Sequence, residues 1–252
     1  MANYKMIIRY DGTNYSGWQK QGNTTNTIQG KIEFHIGDLL GEAVEVHGSG
    51  RTDAGVHAKF QVANFFTNKL IERDSFLLAL NERLPKDISI TKLETATERF
   101  HARLNTTSKT YVYYIDNAKI ADPFRRKYSL HIDTPLNIDA MQSAAALLVG
   151  KHDFKSFCGN KNMKKSTVRT IHSINISKDE SDLISIEYKG DGFLYNMARI
   201  LTGTLINVGI NKTPVSDITK ILEGKNRKLA GPTAFPHGLF LENVEYTKVS
   251  TF

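Results

Sequence analysis

The order of hydrophobic patterns along the chain limits the folds that it can adopt. In the first half, apolar residues alternate as in strands at 5–10, 44–46, 61–66 and 88–93, and they recur at helical spacing at 27–40 and 72–84. Asn26 or Thr27 can cap the first helix, and Pro85 stops the second. The predicted order of elements is β-α-β-β-α-β.

The second half repeats that order, although residue identity between the halves is negligible. Strands are predicted at 110–115, 168–176, 183–188 and 239–246, and helices at 138–149 and 194–208. A short helix at 215–222 and the stretches at 123–132 and 161–169 are additional. An element order of this kind is the ferredoxin-like, or split β-α-β, motif.

The sequence therefore predicts an α+β fold made of two ferredoxin-like βαββαβ halves. Because exposed sheet edges invite pairing, we expect the halves to join into one mostly antiparallel sheet, with helices on one side and an active-site cleft between the halves. The polar stretch at 103–108 marks the boundary, so the predicted domains are 1–104 and 105–252.

Composition excludes several classes of protein. The single cysteine, Cys158, rules out an intramolecular disulfide and a cysteine-based zinc site. The apolar stretches are far shorter than the ~20 residues that a membrane-spanning helix needs, and the first residues lack the apolar region of a signal peptide. The histidines form neither an HExxH motif nor a pair at helical spacing, so we expect no metal site. We expect a cytoplasmic protein without membrane contact.

The positive charge is carried mainly by the second half. The formal net charge is +7; residues 1–103 contain 13 Lys and Arg against 12 Asp and Glu, whereas residues 104–252 contain 20 against 14. A basic region favours a polyanionic partner such as nucleic acid, but mildly basic soluble proteins are also common. Charge alone leaves both interpretations open.

A glycine-rich loop at 48–58 is chemically richer than a hairpin turn requires. Its three glycines surround Arg51, Thr52 and Asp53. The loop lacks the Gly-Lys-Ser/Thr ending of a phosphate-binding loop, the third glycine of a dinucleotide-binding loop, and the Gly-x-Ser-x-Gly elbow of a serine hydrolase. Asp53 is therefore either a turn-forming or capping residue or a catalytic carboxylate.

Aromatic and basic residues elsewhere are compatible with RNA binding. The strand at 110–115 places Tyr111 and Tyr113 on one face, either as packing residues or as a base-stacking platform. Arg51 is either a surface guanidinium or a cation that stacks on bases. Arg199 is isolated in an apolar helix, and because a buried arginine needs a carboxylate, Asp53 is a candidate partner.

Taken together, these motifs resemble the TruA family of tRNA pseudouridine synthases. The most specific match is Arg-Thr-Asp-Ala-Gly-Val-His at 51–57. The other matching segments are Tyr10-Asp11-Gly12-Thr13, Gly17-Trp18-Gln19, Phe100-His101-Ala102-Arg103, Lys109-Thr110-Tyr111, His152-Asp153-Phe154, Phe157, Phe193, Asn196-Met197, Arg199, Ala230-Gly231-Pro232 and Gly238-Leu239. One departure is Ala-Phe-Pro-His at 234–237, where the family more often has small residues and proline. The resemblance covers nearly the whole chain.

The resemblance implies an activity and a set of partners. Members of the family isomerise uridine to pseudouridine in the anticodon arm of tRNA, at positions 38, 39 and/or 40, without a cofactor or a metal. A family member is expected to form a homodimer, in which one subunit holds the tRNA elbow while the cleft of the other receives the anticodon arm.

The resemblance also implies the roles of individual residues. Asp53 matches the essential aspartate of the family, which acts on the ribose either as a nucleophile at C1′ or as a base on the 2′-hydrogen. Tyr111 would stack on the flipped uracil and help to remove the C5 proton. Arg199 would keep Asp53 ionised, and Arg51 would fill the gap that the flipped base leaves. The residues implied in tRNA contact are Phe100, His101, Ala102, Arg103, Leu104, Lys161, Asn162, Met163, Lys164 and Lys165.

Two other functions compete with this interpretation. A non-catalytic RNA-binding protein could use the ferredoxin-like halves as platforms, but no strand carries the aromatic pattern of an RNA-recognition motif. A hydrolase could pair Asp53 with His57, but the sequence supplies no convincing second acid or base. Tritium release from C5-labelled tRNA separates the three, because only the isomerase replaces the C5 hydrogen.

Overall fold

The computed structural model describes residues 1–247. By their backbone contacts these residues divide into two compact units, one formed by Met1–Thr107 with the chain from Phe240 onward and the other by Ser108–Leu239. The elements of the first part of the chain are β1 (Ala2–Tyr10), α1 (Ile28–Leu40), β2 (Val46–Gly48), β3 (His57–Thr67), α2 (Arg73–Arg83) and β4 (Ile88–Ala96). Their order is the predicted β-α-β-β-α-β.

The remaining elements follow the same scheme with insertions. They are β5 (Thr106–Asp116), β6 (Leu130–His131), α3 (Ile138–Ala146), β7 (Gly150–Asp153), β8 (Val168–Lys178), β9 (Leu183–Gly190), α4 (Met197–Gly209), α5 (Asp217–Glu223) and β10 (Leu239–Tyr246). Short 3₁₀ helices occupy Phe154–Phe157 and Pro236–Gly238.

In the first unit, β3 is the central strand. β1 pairs antiparallel with both β3 and β4, and β2 also pairs antiparallel with β3. The start of β3 pairs with β10 in parallel, with Phe240 opposite His57. Because β3 begins at His57, immediately after the glycine-rich loop, the sheet fixes one end of that loop.

The ends and the buried face of helix α1 follow from its local sequence. Thr27 caps it, since its side chain accepts a hydrogen bond from the Gly30 N–H, and Gly41 ends it in the left-handed conformation with φ of 65°. Ile28, Ile32 and Ile36 are spaced by four residues and are completely buried. The helix is therefore held by one apolar face, as its spacing predicts.

In the second unit, the strand order is β5-β9-β8-β7, and each of these neighbours is antiparallel. The short strand β6 adds to β5 in parallel. Tyr113, Ile186 and Tyr188 are completely buried in this sheet, and Ile200 and Leu205 of α4 are completely buried as well. The α+β class and the mostly antiparallel pairing predicted from the sequence are confirmed.

Several element boundaries differ from the sequence-based prediction. Helix α3 ends at Ala146 rather than near 149, and Gly150, with φ of 111°, begins strand β7 instead of ending the helix. Helix α4 begins at Met197 rather than 194, because Asn196 adopts the left-handed conformation. Strand β2 lies two residues later than predicted, and β6 and β7 were not predicted at all.

The two units also differ from the predicted domains at the end of the chain. The first break falls after Thr107, three residues beyond the predicted boundary, but β10 from Phe240 onward groups with the first unit. Its parallel pairing with β3 is the reason. Within residues 1–247, no helix is both long and apolar enough to span a membrane.

Candidate active site

Asp53 opens a tight turn in the loop between β2 and β3. The Val56 N–H donates to the main-chain carbonyl of Asp53 (3.1 Å), and Gly55 has φ of 77°. A positive φ at the third residue is what a type II turn requires, so glycine is needed there. Asp53 itself is half-buried, between buried Thr52 and exposed Ala54.

The segment from Tyr10 to Gln19 supports this loop. The Trp18 N–H donates to the Thr52 carbonyl (3.1 Å), and the Tyr10 and Thr52 hydroxyls are hydrogen-bonded (2.8 Å). A side chain at Gly17, where φ is 97°, would bring Cβ within 2.7 Å of the Thr52 carbonyl oxygen, and a Cβ at Gly12 would clash with the Val56 carbonyl. The main chain before Asp53 is therefore fixed by a segment about forty residues away.

Buried polar groups beneath the loop are joined by hydrogen bonds. The Ser49 hydroxyl donates to Gln61 Oε1 (2.7 Å), and Gln61 Nε2 donates to the Gly50 carbonyl (2.9 Å). Burial raises the pKa of Tyr10, an effect only partly offset by its hydrogen bonds with Thr52 and Gln61. The phenol therefore stays protonated and the loop rests on a satisfied polar network, which favours a single conformation.

His57 follows the loop and is buried in the first unit. Its ring stacks on Phe240 with a centroid distance of 4.6 Å. The Gly12 N–H donates to Nδ1 (3.1 Å), and Asp11 Oδ1 lies 3.1 Å from the same atom. These contacts favour a structural role for His57 in supporting the loop. Arg51, on the other side of Asp53 in the sequence, is exposed.

The predicted tRNA-contacting segment Phe100 to Leu104 lies in the same unit and is anchored by main-chain groups. The Asn3 side chain donates to the Phe100 carbonyl (2.9 Å). The Ala102 N–H donates to Asn64 Oδ1 (2.9 Å), and its carbonyl accepts from the Tyr246 hydroxyl (2.7 Å). Ala102 is completely buried.

The other members of that segment are more accessible. Arg103 and Leu104 are exposed, and Leu104 retains 76% of its surface. His101 is half-buried with its ring 5.0 Å from that of His47, and burial lowers its pKa, with a smaller contribution from His47. Arg103 and Leu104 are therefore the groups most available to a ligand.

Tyr111 and Arg199 lie in the second unit. Tyr111 is buried in β5 opposite Tyr188 of β9, and its ring meets Phe193 edge-on at 5.0 Å. Phe193 belongs to the short connection between β9 and α4, the helix that carries Arg199. Strand and helix thus bring both predicted residues into one unit.

The guanidinium of Arg199 is oriented by two neighbours. Its Nε donates to the Ala234 carbonyl (2.8 Å) and its Nη1 donates to Asn196 Oδ1 (3.0 Å). The Ala234 N–H donates in turn to the Arg199 carbonyl (3.0 Å). Burial raises the pKa of the neighbouring Tyr113, and the positive charge of Arg199 partly offsets this increase. The segment that departs from the family pattern therefore still holds Arg199.

The basic residues at 161–165 form a loop of the second unit between the first 3₁₀ helix and β8. Lys161, Asn162, Lys164 and Lys165 are exposed, and Met163 is half-buried. Among residues 1–247, no three His, Cys, Asp or Glu side chains converge as a metal site.

Sequence reasoning missed two groups of residues. Tyr10, Gly12 and Gly17 belong to the segments that resemble the family, but the sequence indicates no role for them. The fold shows that they support the loop that contains Asp53. The sequence likewise gives Asn196 no role, although it occupies the N-cap position of α4 and its side chain orients Arg199. The two glycines of the segment at 10–19 were the sequence signal that could have indicated close packing of this segment against another main chain. Whether Asp53 pairs with Arg199 stays a prediction.

Comparisons with known proteins agree with these features. The tRNA pseudouridine synthase family matches residues 6–105 and 144–247. The chain is 46% identical over 246 residues to "tRNA pseudouridine synthase A 2" of Bacillus cereus, covering 98% of this chain and 100% of the relative. It is 48% identical, with the same coverage, to "tRNA pseudouridine synthase A" of a Bacillus species and to "tRNA pseudouridine synthase A 1" of Clostridium tetani.

A solved structure is also similar, but distantly. The Cbf5-Nop10-Gar1 complex matches with 12% identity and a TM-score of 0.36, covering 81% of this chain and 45% of that one. This similarity is too weak to bear on fold or activity. The family match and the sequence relatives show that the chain belongs to the tRNA pseudouridine synthase family. It is an isomerase that acts on uridine in tRNA.

Proposed function

We propose that the chain converts uridine to pseudouridine at positions 38, 39 and/or 40 in the anticodon stem-loop of tRNAs, with Asp53 as the essential carboxylate. The observation that supports this most is the loop around Asp53. A half-buried carboxylate stands on a turn whose main chain is fixed by Gly17, Trp18 and Tyr10. Catalysis benefits from such preorganisation, because a fixed group needs no reorganisation during the reaction.

The reaction exchanges one bond to the ribose for another. The C1′–N1 bond breaks, the uracil rotates, a C1′–C5 bond forms, and the C5 proton is lost while N1 gains a proton. Asp53 assists either as the nucleophile at C1′ or as the base that removes the 2′-hydrogen. Both routes require the ionised carboxylate.

Three further residues complete the proposed set of site residues. Arg199 favours the ionised form of Asp53, since an opposite charge close by lowers the pKa of a carboxylate. Tyr111 stacks on the flipped uracil, and its contact with Phe193 supports a fixed ring position. Arg51, which is exposed, fills the gap that the flipped base leaves in the RNA.

We propose further that the anticodon arm and the elbow of the tRNA contact the protein through exposed loops. The proposed contact residues are Phe100, His101, Ala102, Arg103, Leu104, Lys161, Asn162, Met163, Lys164 and Lys165. The protein works without a cofactor, as a cytoplasmic homodimer.

Tritium release from C5-labelled tRNA tests the role of Asp53. The wild type should release tritium, whereas Asp53→Ala and Asp53→Asn should release none above background although they still bind tRNA. Asp38→Asn is the matched control, because Asp38 is an exposed carboxylate of α1. Full activity of Asp53→Asn would refute the proposal.

Mass spectrometry of the treated tRNA tests the position of the modification. After derivatisation specific for pseudouridine, the mass label should be found at 38, 39 or 40. A label confined to another position would contradict the proposed specificity while leaving the isomerase activity intact. Release of free uracil would show hydrolysis instead.

A further inference from the structure

Three segments of the second unit meet and carry an excess of lysines. They are the 3₁₀ helix Phe154–Phe157, the loop at 158–167 and the loop at 224–229. We call their exposed lysines the basic surface: Lys155, Lys161, Lys164, Lys165, Lys225 and Lys228. Of these lysines, only Lys161, Lys164 and Lys165 belong to the tRNA contact proposed for the loop at 161–165.

Hydrogen bonds hold the loop at 224–229 against the 3₁₀ helix. The buried Ser156 hydroxyl donates to the Ile221 carbonyl (2.5 Å) and accepts from the Asn226 N–H (2.8 Å). Lys225 Nζ lies 3.1 Å from Asp153 Oδ2. The loop that carries Lys225 and Lys228 is therefore held against the 3₁₀ helix that carries Lys155.

The loop at 158–167 is held at both of its ends. The Phe154 N–H donates to the Thr167 carbonyl (3.0 Å), and the Thr167 hydroxyl donates to Asp153. At the other end the Gly159 N–H donates to the Tyr195 carbonyl (2.8 Å). The basic loop thus starts beside the residues that precede α4.

That last contact connects the basic surface with the proposed active site. Asn196 follows Tyr195, occupies the N-cap position of α4 and accepts a hydrogen bond from Arg199 (3.0 Å). A side chain at Gly159 would place its Cβ 2.9 Å from Asn196 Nδ2, so the loop packs closely on this cap. The start of the basic loop is therefore joined to Arg199 through Asn196.

Most of the charges of this surface are not neutralised by carboxylates of residues 1–247. Among residues 1–247, Asp153 is the one carboxylate that pairs with the basic surface, through Lys225, and the other five lysines form no ion pair. Clustered like charges repel, which costs stability unless a polyanion binds them. Lysines are suited to phosphates as mobile point charges.

We propose that Lys155, Lys225 and Lys228 bind backbone phosphates of the substrate RNA and extend the contact of Lys161–Lys165 into one continuous phosphate-binding surface that leads to Arg199. This inference rests on the proposed contact of the 161–165 loop with tRNA. It adds a second loop and the 3₁₀ helix to that contact. The alternative is that these lysines only keep the protein in solution, which is an outcome of the test.

Direct binding of full-length tRNA, measured over a series of salt concentrations, tests the proposal. The test variant carries Lys155→Gln, Lys225→Gln and Lys228→Gln. The matched control carries Lys69→Gln, Lys86→Gln and Lys212→Gln, which remove the same charge from exposed positions outside the basic surface. Circular dichroism checks that both variants are folded.

We expect the test variant to bind tRNA at least tenfold more weakly than the wild type near 0.1 M salt. Loss of three phosphate contacts should also make the slope of log K against log salt less steep by about 2. The control should keep the slope and affinity of the wild type. Unchanged binding by the test variant, or equal weakening by the control, would overturn the proposal.

The outcome does not depend on catalysis. A wild type that binds tRNA through the basic surface but leaves uridines 38 to 40 unmodified would contradict the proposed specificity and leave this inference standing. A variant that modifies those uridines normally and binds with the affinity and salt slope of the wild type would contradict this inference alone.

Discussion

The phenol of Tyr10 illustrates how a residue without chemistry of its own can hold the conformation of the loop that contains Asp53. Its hydroxyl is hydrogen-bonded to Thr52 (2.8 Å), the neighbour of Asp53, and both residues are buried. Removing the hydroxyl leaves the Thr52 side chain to find another partner. The main chain that positions Asp53 would then sample more conformations.

We therefore expect Tyr10→Phe to lower kcat by about tenfold, equivalent to ~1.4 kcal/mol of transition-state stabilisation, with little change in KM. The free energy of unfolding should fall by about 1 kcal/mol. Steady-state tritium release and urea denaturation measure the two effects.

Tyr4→Phe is the matched control for that variant. Tyr4 is equally buried in β1, and its hydroxyl accepts a hydrogen bond from the Ile71 N–H (3.2 Å), away from the loop that contains Asp53. It should lower stability by a similar amount and leave kcat unchanged. If both variants lost kcat equally, a specific positioning role for Tyr10 would be wrong.

At the scale of elements, helix α4 is held close to the segment at 230–234. A Cβ at Gly203 would clash with the Pro232 carbonyl, and the main chains of Arg199 and Ala234 are hydrogen-bonded (3.0 Å). Only glycine allows this approach. The same contact fixes the guanidinium of Arg199 through the Ala234 carbonyl.

We expect Gly203→Ala to lower the free energy of unfolding by about 1–3 kcal/mol, because the helix must move away from the segment. The movement should also reduce kcat, because Arg199 loses its fixed position. Chemical denaturation and turnover at 25 °C measure both.

Gly37→Ala in α1 is the control for a helical glycine. Its Cβ would lie 3.1 Å from the Glu42 carbonyl, a contact that a small shift relieves, and alanine favours a helix by up to about 1 kcal/mol. It should be close to neutral. A Gly203→Ala protein as stable and active as the wild type would show that the close approach is dispensable.

Periodicity in the sequence predicts which elements exist better than where they end. Strand β10 was predicted with its observed bounds. Helix α4 was predicted three residues too early, because Leu194 and Met197 are both buried and share helical spacing. The left-handed conformation of Asn196, which delays the helix, leaves no mark in a hydrophobic pattern.

The candidate site was predictable to the extent that it lies in one stretch of sequence. The glycines and charges of the loop at 48–58 identified Asp53 as a candidate. Its support by Tyr10 and Gly17 depends on contacts between residues about forty positions apart. Such contacts arise from strand pairing, which periodicity does not specify.

At the scale of the whole molecule, both ends of the chain build the first unit. β1 and β10 flank β3, one antiparallel and one parallel. A boundary inferred from a polar stretch at 103–108 divides the chain once and assigns the last strand to the second half. Strand β10 pairs with β3, which lies far away in the sequence. The polar composition of residues 103–108 gives no indication of that pairing.

The response of stability to pH is also a property of the whole molecule. Burial lowers the pKa of His35, His101 and His237 below the ordinary value of 6.5. As pH falls below 6.5, the unfolded chain takes up protons at these positions before the folded protein does. Their contribution to stability is therefore complete above 6.5 and is lost progressively as the pH falls.

We therefore expect the thermal unfolding temperature to decrease between pH 7.5 and pH 5.5. The effect of His237 can be isolated, because burial lowers its pKa. A hydrogen bond with the Ser129 main chain partly offsets this effect, and the charge of Arg199 adds a smaller lowering. His237→Gln should reduce the dependence on pH, whereas substitution of the exposed His172 by Gln should retain it. Scanning calorimetry at the two pH values measures the difference. An unfolding temperature that rises toward pH 5.5 would mean that protonation of other groups stabilises the fold more than these histidines destabilise it.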